Sequence, residues 1–488
     1  MVTLLSYALS IVFVIAGTVI RRGTLRQWLW LAASYALYST FGLRFLAILV
    51  ISSVFNFIYG AFLRRNPTLV RLWGGIAGNI CLLGFYKTTH LLAWIAGANS
   101  VASKFLGGIA MPLGISFWTF QAMSYLFDLY RQEDLDPSLL EFSLYMAFWP
   151  TVIMGPICRL GNMLPQFRDG DGFSSNNLLA GARRIVTGLF MKVVLSQILL
   201  SGVTPGAGVA AGFDGSTTVS SGLDVWFLAI GFGLQLFFDF AGYSNIVIGA
   251  AQLFGFRLDE NFDVPFMAST PSEFWTRWHM SLSSWIRDYV FIPVAAARRE
   301  VWWRYFALLF SMTLFGLWHG AKAVFLLWGV YQGLLLIAHR VIQQHRRKGE
   351  RVLPAGIDSL LSWSVSFLAI SLGWVLFRAN SLEQAVTMLK AVVNPRNYLS
   401  PALASNYYLM VLTVLLAYFA YHTIYVPGFR RIHSAFTSEF KMGLAQWGLT
   451  NEFATFVWLI PMAALLFLGM LIVHSGSEGV TPFVYAVF

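Results

Sequence analysis

Apolar runs long enough to cross a lipid hydrocarbon core recur from one end of this chain to the other, separated by short connections that carry most of its charge. A crossing helix needs roughly 20 predominantly apolar residues. The pattern predicts candidate spans over residues 1–20, 27–42, 45–63, 72–86, 91–110, 112–130, 140–157, 184–203, 223–254, 305–317, 323–339, 357–377, 405–426 and 454–474. Several are too short or too long for one straight crossing, so about eleven true crossings are expected, with re-entrant or interfacial pieces. The expected fold class is all-α, a polytopic transmembrane helical bundle. A barrel is excluded, because membrane strands alternate over segments of about ten residues and runs such as MVTLLSYALSIVFVIAGTVI do not. Two polar stretches read as loops: residues 161–183, amphiphilic, and residues 201–222, rich in small residues and nearly uncharged, the composition of an external connection.

Composition sharpens this picture. Of 488 residues, 57% are hydrophobic and 11% charged, a balance foreign to water-soluble domains. The net charge of +11 comes from short loops bearing Arg64, Arg65 and Arg71, then Arg183 and Arg184, then HRRKGER at 345–351. Cytoplasmic loops facing anionic lipid account for that excess, and no nucleic-acid partner is needed. The first run lacks the basic leader and cleavage site of a signal peptide, and its arginines, Arg21, Arg22 and Arg26, follow it. It reads as a retained helix with its N-terminus outside. Cys81 and Cys158 lie far apart in apolar surroundings and suggest neither a disulfide nor a metal site. Residues 1–488 read as a single membrane domain, with core segments at 111–339 between N-terminal helices at 1–110 and C-terminal helices at 357–488.

Candidate chemistry lies where ionisable groups interrupt apolar sequence. From Val225 to Phe256 the one charged residue is Asp239, which must face protein or water. Gln235, Tyr243, Ser244 and Asn245 offer it a polar neighbourhood, and an inward helix-locking role weighs equally with substrate contact. Residues 272–293, SEFWTRWHMSLSSWIRDYVFIP, read as one interfacial helix. Trp275, Trp278, Leu282, Trp285, Ile286 and Tyr289 form its apolar face at the headgroup boundary, opposite Glu273, Arg277, Ser281, Ser284, Arg287 and Asp288. His279 falls at the edge of the apolar face. His319 lies in GLWHGAK, which interrupts an apolar stretch too long for one crossing. Gly316 and Gly320 permit a break or a close helix approach there. An intramembrane imidazole on such a segment is a candidate general base.

At these residues the chain resembles the membrane-bound O-acyltransferase family, and within it the bacterial alginate O-acetylation branch. The resemblance runs in order through RQWLWLAASYALYSTFG, LLGFYK, MPLGISFWTFQAMSYLFDLYR, FWPTVIMGPICR, FDFAGYSNIVIGAAQLFGFRLDENFDVPF, EFWTRWHMSLSSWIRDYVFIP, GLWHGA and WVLFRANSLEQAVTMLK. It departs at AAARRE after FIP and at the terminal TPFVYAVF. The resemblance implies a central funnel, His319 as catalytic histidine and His279 as its assistant. It implies acetyl-CoA as donor substrate, with no tightly bound cofactor, and acetyl transfer across a bacterial inner membrane to a secreted or cell-surface polysaccharide through an exported serine-esterase-like partner. Asp239, Tyr243, Ser244, Asn245, Trp278 and Trp318 are candidate substrate or tunnel residues; Arg277 and Arg287 are candidates for CoA phosphate or lipid headgroups. A proton-coupled transporter or flippase using Asp239 and His319 is the alternative from another class. A lipid or teichoic acid acceptor is the alternative within the family.

Overall fold

The computed structural model describes residues 23–96, 100–169, 175–202, 208–215, 221–345 and 354–425, with Val12 and Ile20. The candidate runs at 1–20 and 454–474, the basic cluster after His345 and the terminal TPFVYAVF lie outside these residues, apart from Val12 and Ile20. The described chain is predominantly helical, without a strand. Seven of its helices are long and apolar enough to cross a membrane: Leu43–Arg65, Leu69–Thr89, Asn177–Ser201, Gly222–Leu253, Ala323–His345, Gly356–Arg378 and Ser405–Ile424.

Packing divides the chain into two compact units: the described residues up to Ala182 together with Val247–Glu260, and the described residues of the remainder. In the first unit run α1 (Thr24–Ser39), α2 (Leu43–Arg65), α3 (Leu69–Ile95), α4 (Val101–Gly107), α5 (Ile115–Tyr130), α6 (Leu139–Ala147) and α7 (Leu160–Asp169). Polar side chains at the α2–α3 contact satisfy one another: Asn56 Nδ2 donates to Asn79 Oδ1 at 3.2 Å, and Asn79 Nδ2 returns the bond at 2.8 Å. Such reciprocal pairs let amides stay inside an apolar bundle. α5 is buried along nearly its whole length, so the run expected at 112–130 is a core helix of 16 residues. Its start depends on Gly114, whose φ of +76° and 1.9 Å Cβ-to-Val152 oxygen separation admit no side chain.

Three expected elements differ. The run at 140–157 is helical only over α6, whose Ser138–Glu141 capping box marks its start. Pro150, Gly155 and Pro156 keep the following chain irregular. The run at 91–110 is broken between Ile95 and Val101. The polar stretch at 161–183 contains α7 and the beginning of α8 (Ser175–Leu189) in place of a loop.

α8 continues through a π-helical stretch, Phe190–Ser196, into α9 (Gln197–Ser201). After α10 (Val209–Asp214) comes the long α11 (Gly222–Leu253), most of which is buried. The helix expected as one piece over 272–293 is broken once, at Trp278–His279, into α12 (Pro271–Arg277) and a second run in which α13 (Met280–Ile286) continues through the π-helical Arg287–Phe291 into α14 (Ile292–Ala296). Nor is its aromatic face open to lipid. Trp275, Trp278, Leu282, Trp285, Ile286 and Tyr289 are all buried within the protein. Residues 201–222, expected as an external loop, include α10, whose Asp214 accepts hydrogen bonds from the Arg378 guanidinium and from Asn380 Nδ2.

α15 (Val301–His319) and α16 (Ala323–His345) form a tight hairpin, followed by α17 (Ala355–Arg378), α18 (Leu382–Val393) and α19 (Ser405–Ala420). Gly316 and Gly329 set the hairpin crossing. A Cβ on Gly316 would stand 2.3 Å from the Phe325 carbonyl oxygen and 3.0 Å from Gly329 Cα. Small residues allow this approach, and van der Waals contact between the backbones holds it. Gly316→Ala is expected to cost about 1–3 kcal/mol by overpacking, seen as a lower thermal unfolding midpoint in detergent.

Candidate functional site

The second unit links the two candidate histidines through an aromatic layer of successive ring contacts, from His279 through Phe240, Phe262, Trp278, Trp374 and Phe377 to His319. α15 ends at His319, and the chain breaks at Gly320 before α16 begins, as the interrupted apolar run predicts. The imidazole is 3% exposed and does not face lipid. Among the described residues five rings surround it, with centroid separations of 4.6 Å to Trp318, 4.8 Å to Phe377, 5.1 Å to Phe315, 5.4 Å to Trp328 and 6.1 Å to Phe325. Phe325 and Trp328 return on α16, while Phe377 comes from the last turn of α17. Hairpin geometry and a third helix thus build a cage that no local motif contains.

His279 occupies the break between α12 and α13. Trp278 is extended, and His279 has a φ of 42°, in the left-handed region that a non-glycine residue adopts only when its surroundings impose it. Asn261 imposes it. Its carbonyl oxygen accepts from Met280 N at 2.8 Å, and Asp263 N donates to Arg277 O at 3.0 Å, so the chain at 261–263 clamps both sides of the break. Asn261 Oδ1 accepts from Ser281 Oγ at 2.6 Å and lies 3.4 Å from His279 Nδ1; Asn261 Nδ2 donates to Ser244 Oγ at 3.2 Å. Nε2 of His279 is buried with no hydrogen-bond partner among the described residues, and the ring stands edge-on to Phe240 at 4.6 Å.

Burial holds the His279 imidazole well below its usual pKa, so the ring is neutral. The unfolded chain gains a proton near its ordinary value of 6.5, whereas the folded one does not. The resulting stability is present above that pH and is lost as pH falls toward the folded value. Lowering the pH from about 8 to about 5 should therefore destabilise the native protein more than it does His279→Gln, in paired thermal melts.

The remaining candidates separate. Ser244 joins the Asn261 network, and Trp278 lies in the aromatic layer, stacked on Phe274 at 5.3 Å and 5.0 Å from Trp374. Trp374 and Phe377 continue that layer to His319. Trp318 touches His319. Asn245 turns back to its own helix, donating to Ala241 O at 2.9 Å, and Tyr243 is buried on α11. Arg277 pairs with Glu273 at 2.8 Å and Arg287 with Asp288 at 2.7 Å, so both expected phosphate or headgroup ligands carry carboxylate partners.

Asp239 forms a buried ion pair with Lys192, a residue the sequence reading passed over. The pair sits where two helices touch backbone to backbone, a Cβ on Gly188 falling 2.4 Å from Gly242 O. Lys192 projects from the π-helical stretch. One signal was available: a lone lysine in the apolar run 185–200 matches a lone aspartate in the run 225–256. Asn261 and the rings around His319 left no comparable mark.

A model of the membrane-bound O-acyltransferase family matches residues 91–377, which contain both histidines and the hairpin. The chain belongs to the membrane-bound O-acyltransferase family. It is therefore a multi-pass membrane acyltransferase. Among relatives of this O-acyltransferase, the Pseudomonas aeruginosa protein named "Probable alginate O-acetylase AlgI" is 32% identical over 379 residues, covering 75% of this chain and 69% of the relative. The Peptidoglycan O-acetyltransferase of Helicobacter pylori is 31% identical over 399 residues, 75% and 73% of the two chains. The Teichoic acid D-alanyltransferase of Streptococcus thermophilus is 30% identical over 283 residues, 54% and 68% of the two chains.

Proposed function

We propose that this O-acyltransferase moves acetyl groups from cytoplasmic acetyl-CoA across a bacterial inner membrane for O-acetylation of a secreted or cell-surface polysaccharide, with an exported serine-esterase-like partner making the final transfer. The observation that carries the chemistry is the inward, ring-enclosed imidazole of His319 at the bend of the α15–α16 hairpin. In this reading His319 takes the proton from the acceptor hydroxyl as its oxygen attacks the thioester carbonyl. The C–S bond breaks as the ester forms, and the proton returns from His319 to the leaving thiolate. With Nδ1–H donating to Asn261 Oδ1, His279 presents the Nε2 lone pair, suited to accepting a hydrogen bond from the incoming hydroxyl and orienting it. Donor, base and acceptor held in one water-poor layer gain from proximity and from low local polarity.

Relatives named for alginate and peptidoglycan match about three quarters of this chain, and the teichoic acid relative about half, which favours a polysaccharide acceptor. The transporter reading draws on Asp239 as well, which pairs with Lys192.

Inside-out vesicles from the producing bacterium test the proposal. Radiolabelled acetyl-CoA is expected to yield free CoA and alkali-labile acetyl in the polysaccharide fraction, both absent when His319 is replaced. Solute uptake without CoA release would refute it, and label appearing in lipid or teichoic acid would move the acceptor.

A further inference from the structure

A cavity of about 340 Å³ lies beside the His319 cage, lined on α15 by Leu308, Ser311, Met312 and Phe315, and elsewhere by Trp275 and by polar groups that include Arg287 and Arg340. The four α15 positions follow one helical stripe, and the next position on that stripe, four residues past Phe315, is His319. Cavity and imidazole therefore share a helix face, one turn apart. Between them stands the ring of Phe315, which lines the cavity on one side and lies 5.1 Å from His319 on the other. Trp275 backs it, 5.3 Å from Phe315 and 5.9 Å from Trp328. The wall is held in place, since the neighbouring Gly316 is packed against Gly329 and Phe315 itself is 3% exposed.

The rings around His319 enclose the imidazole closely, and the cavity does not reach it. A longer chain directed along the same helix face would have to enter the cavity, and Phe315 closes that route. We propose that Phe315 is the acyl-length filter of this enzyme, restricting transfer at His319 to a two-carbon group by separating the imidazole from a cavity able to take a longer chain. This rests on the reading of His319 as the base of acyl transfer.

The test is thiol release from acetyl-, hexanoyl- and octanoyl-CoA in inside-out vesicles containing the protein and its native partners, with the His319→Ala signal subtracted. Wild-type protein is expected to prefer acetyl over hexanoyl by about tenfold or more, the scale on which a pocket discriminates by methylene groups. Phe315→Ala should erase or reverse that preference, with Phe315→Leu in between. Met312→Ala, which enlarges the same cavity and leaves the wall standing, should keep the wild-type order. The filter is overturned if wild-type protein uses hexanoyl-CoA as well as acetyl-CoA. It is equally overturned if Phe315→Ala and Phe315→Leu, both monodisperse on gel filtration, keep the wild-type order. Transfer by wild-type protein from none of the three thioesters would instead remove the proposed activity and, with it, the filter.

Discussion

Replacing His319 by alanine is expected to lower acyl transfer by about a hundredfold to ten-thousandfold, the contribution of a positioned general base, while the protein stays in the membrane at normal abundance. The ring is buried among Phe315, Trp318, Phe325, Trp328 and Phe377, so alanine leaves a void as well as removing the proposed base. His319→Gln separates the two effects, because it keeps much of the volume and supplies no comparable base. Loss of transfer in both variants, with unfolding midpoints near wild type for glutamine, assigns the effect to proton transfer. Recovery of activity in His319→Gln would reduce the histidine to packing. His279→Gln gives a contrasting outcome: if His279 orients the acceptor, the apparent KM for acceptor rises more than kcat falls.

The largest effect on stability is expected at Asp239. Asp239 is buried and its partner Lys192 is part-buried beside it, and removing one partner leaves an uncompensated charge inside the bundle, a loss of up to about 3–5 kcal/mol. Asp239→Ala and Lys192→Ala should each lower the unfolding midpoint and the amount of protein recovered from membranes. The double replacement Lys192→Met with Asp239→Leu should restore much of the loss, since a well-packed apolar pair avoids the desolvation of two ions. The double variant also decides between the two roles weighed for Asp239. Wild-type transfer rates would make the pair a helix lock. A stable but inactive double variant would place the pair on the substrate path.

Much of the site was legible as sequence anomaly. His319 and Asp239 stood out because an ionisable group in apolar surroundings must find protein or water, whatever the fold around it. The break after His319 followed from an apolar stretch too long for one crossing, interrupted by GLWHGAK. The segment at 272–293 misled for a related reason. Its wheel pattern is helical, but wheel analysis assumes one continuous axis, and Asn261, distant in sequence from Trp278, clamps the chain into a left-handed turn at His279. The same buried tryptophans would suit a headgroup layer or a protein interior equally well, since hydropathy does not distinguish lipid from packed side chains.

By itself, then, the order of residues determined that this chain is helical, membrane-embedded, and equipped with a histidine, His319, and an aspartate, Asp239, that must turn inward. It did so because a bilayer forbids unsatisfied backbone and isolated charge regardless of partner. Tertiary structure alone decided that Lys192 answers Asp239, that Asn261 shapes the turn at His279, and that five rings from α15, α16 and α17 close around His319. Those choices depend on which helix faces meet, and contacts between segments far apart in sequence leave no periodicity in either segment to read.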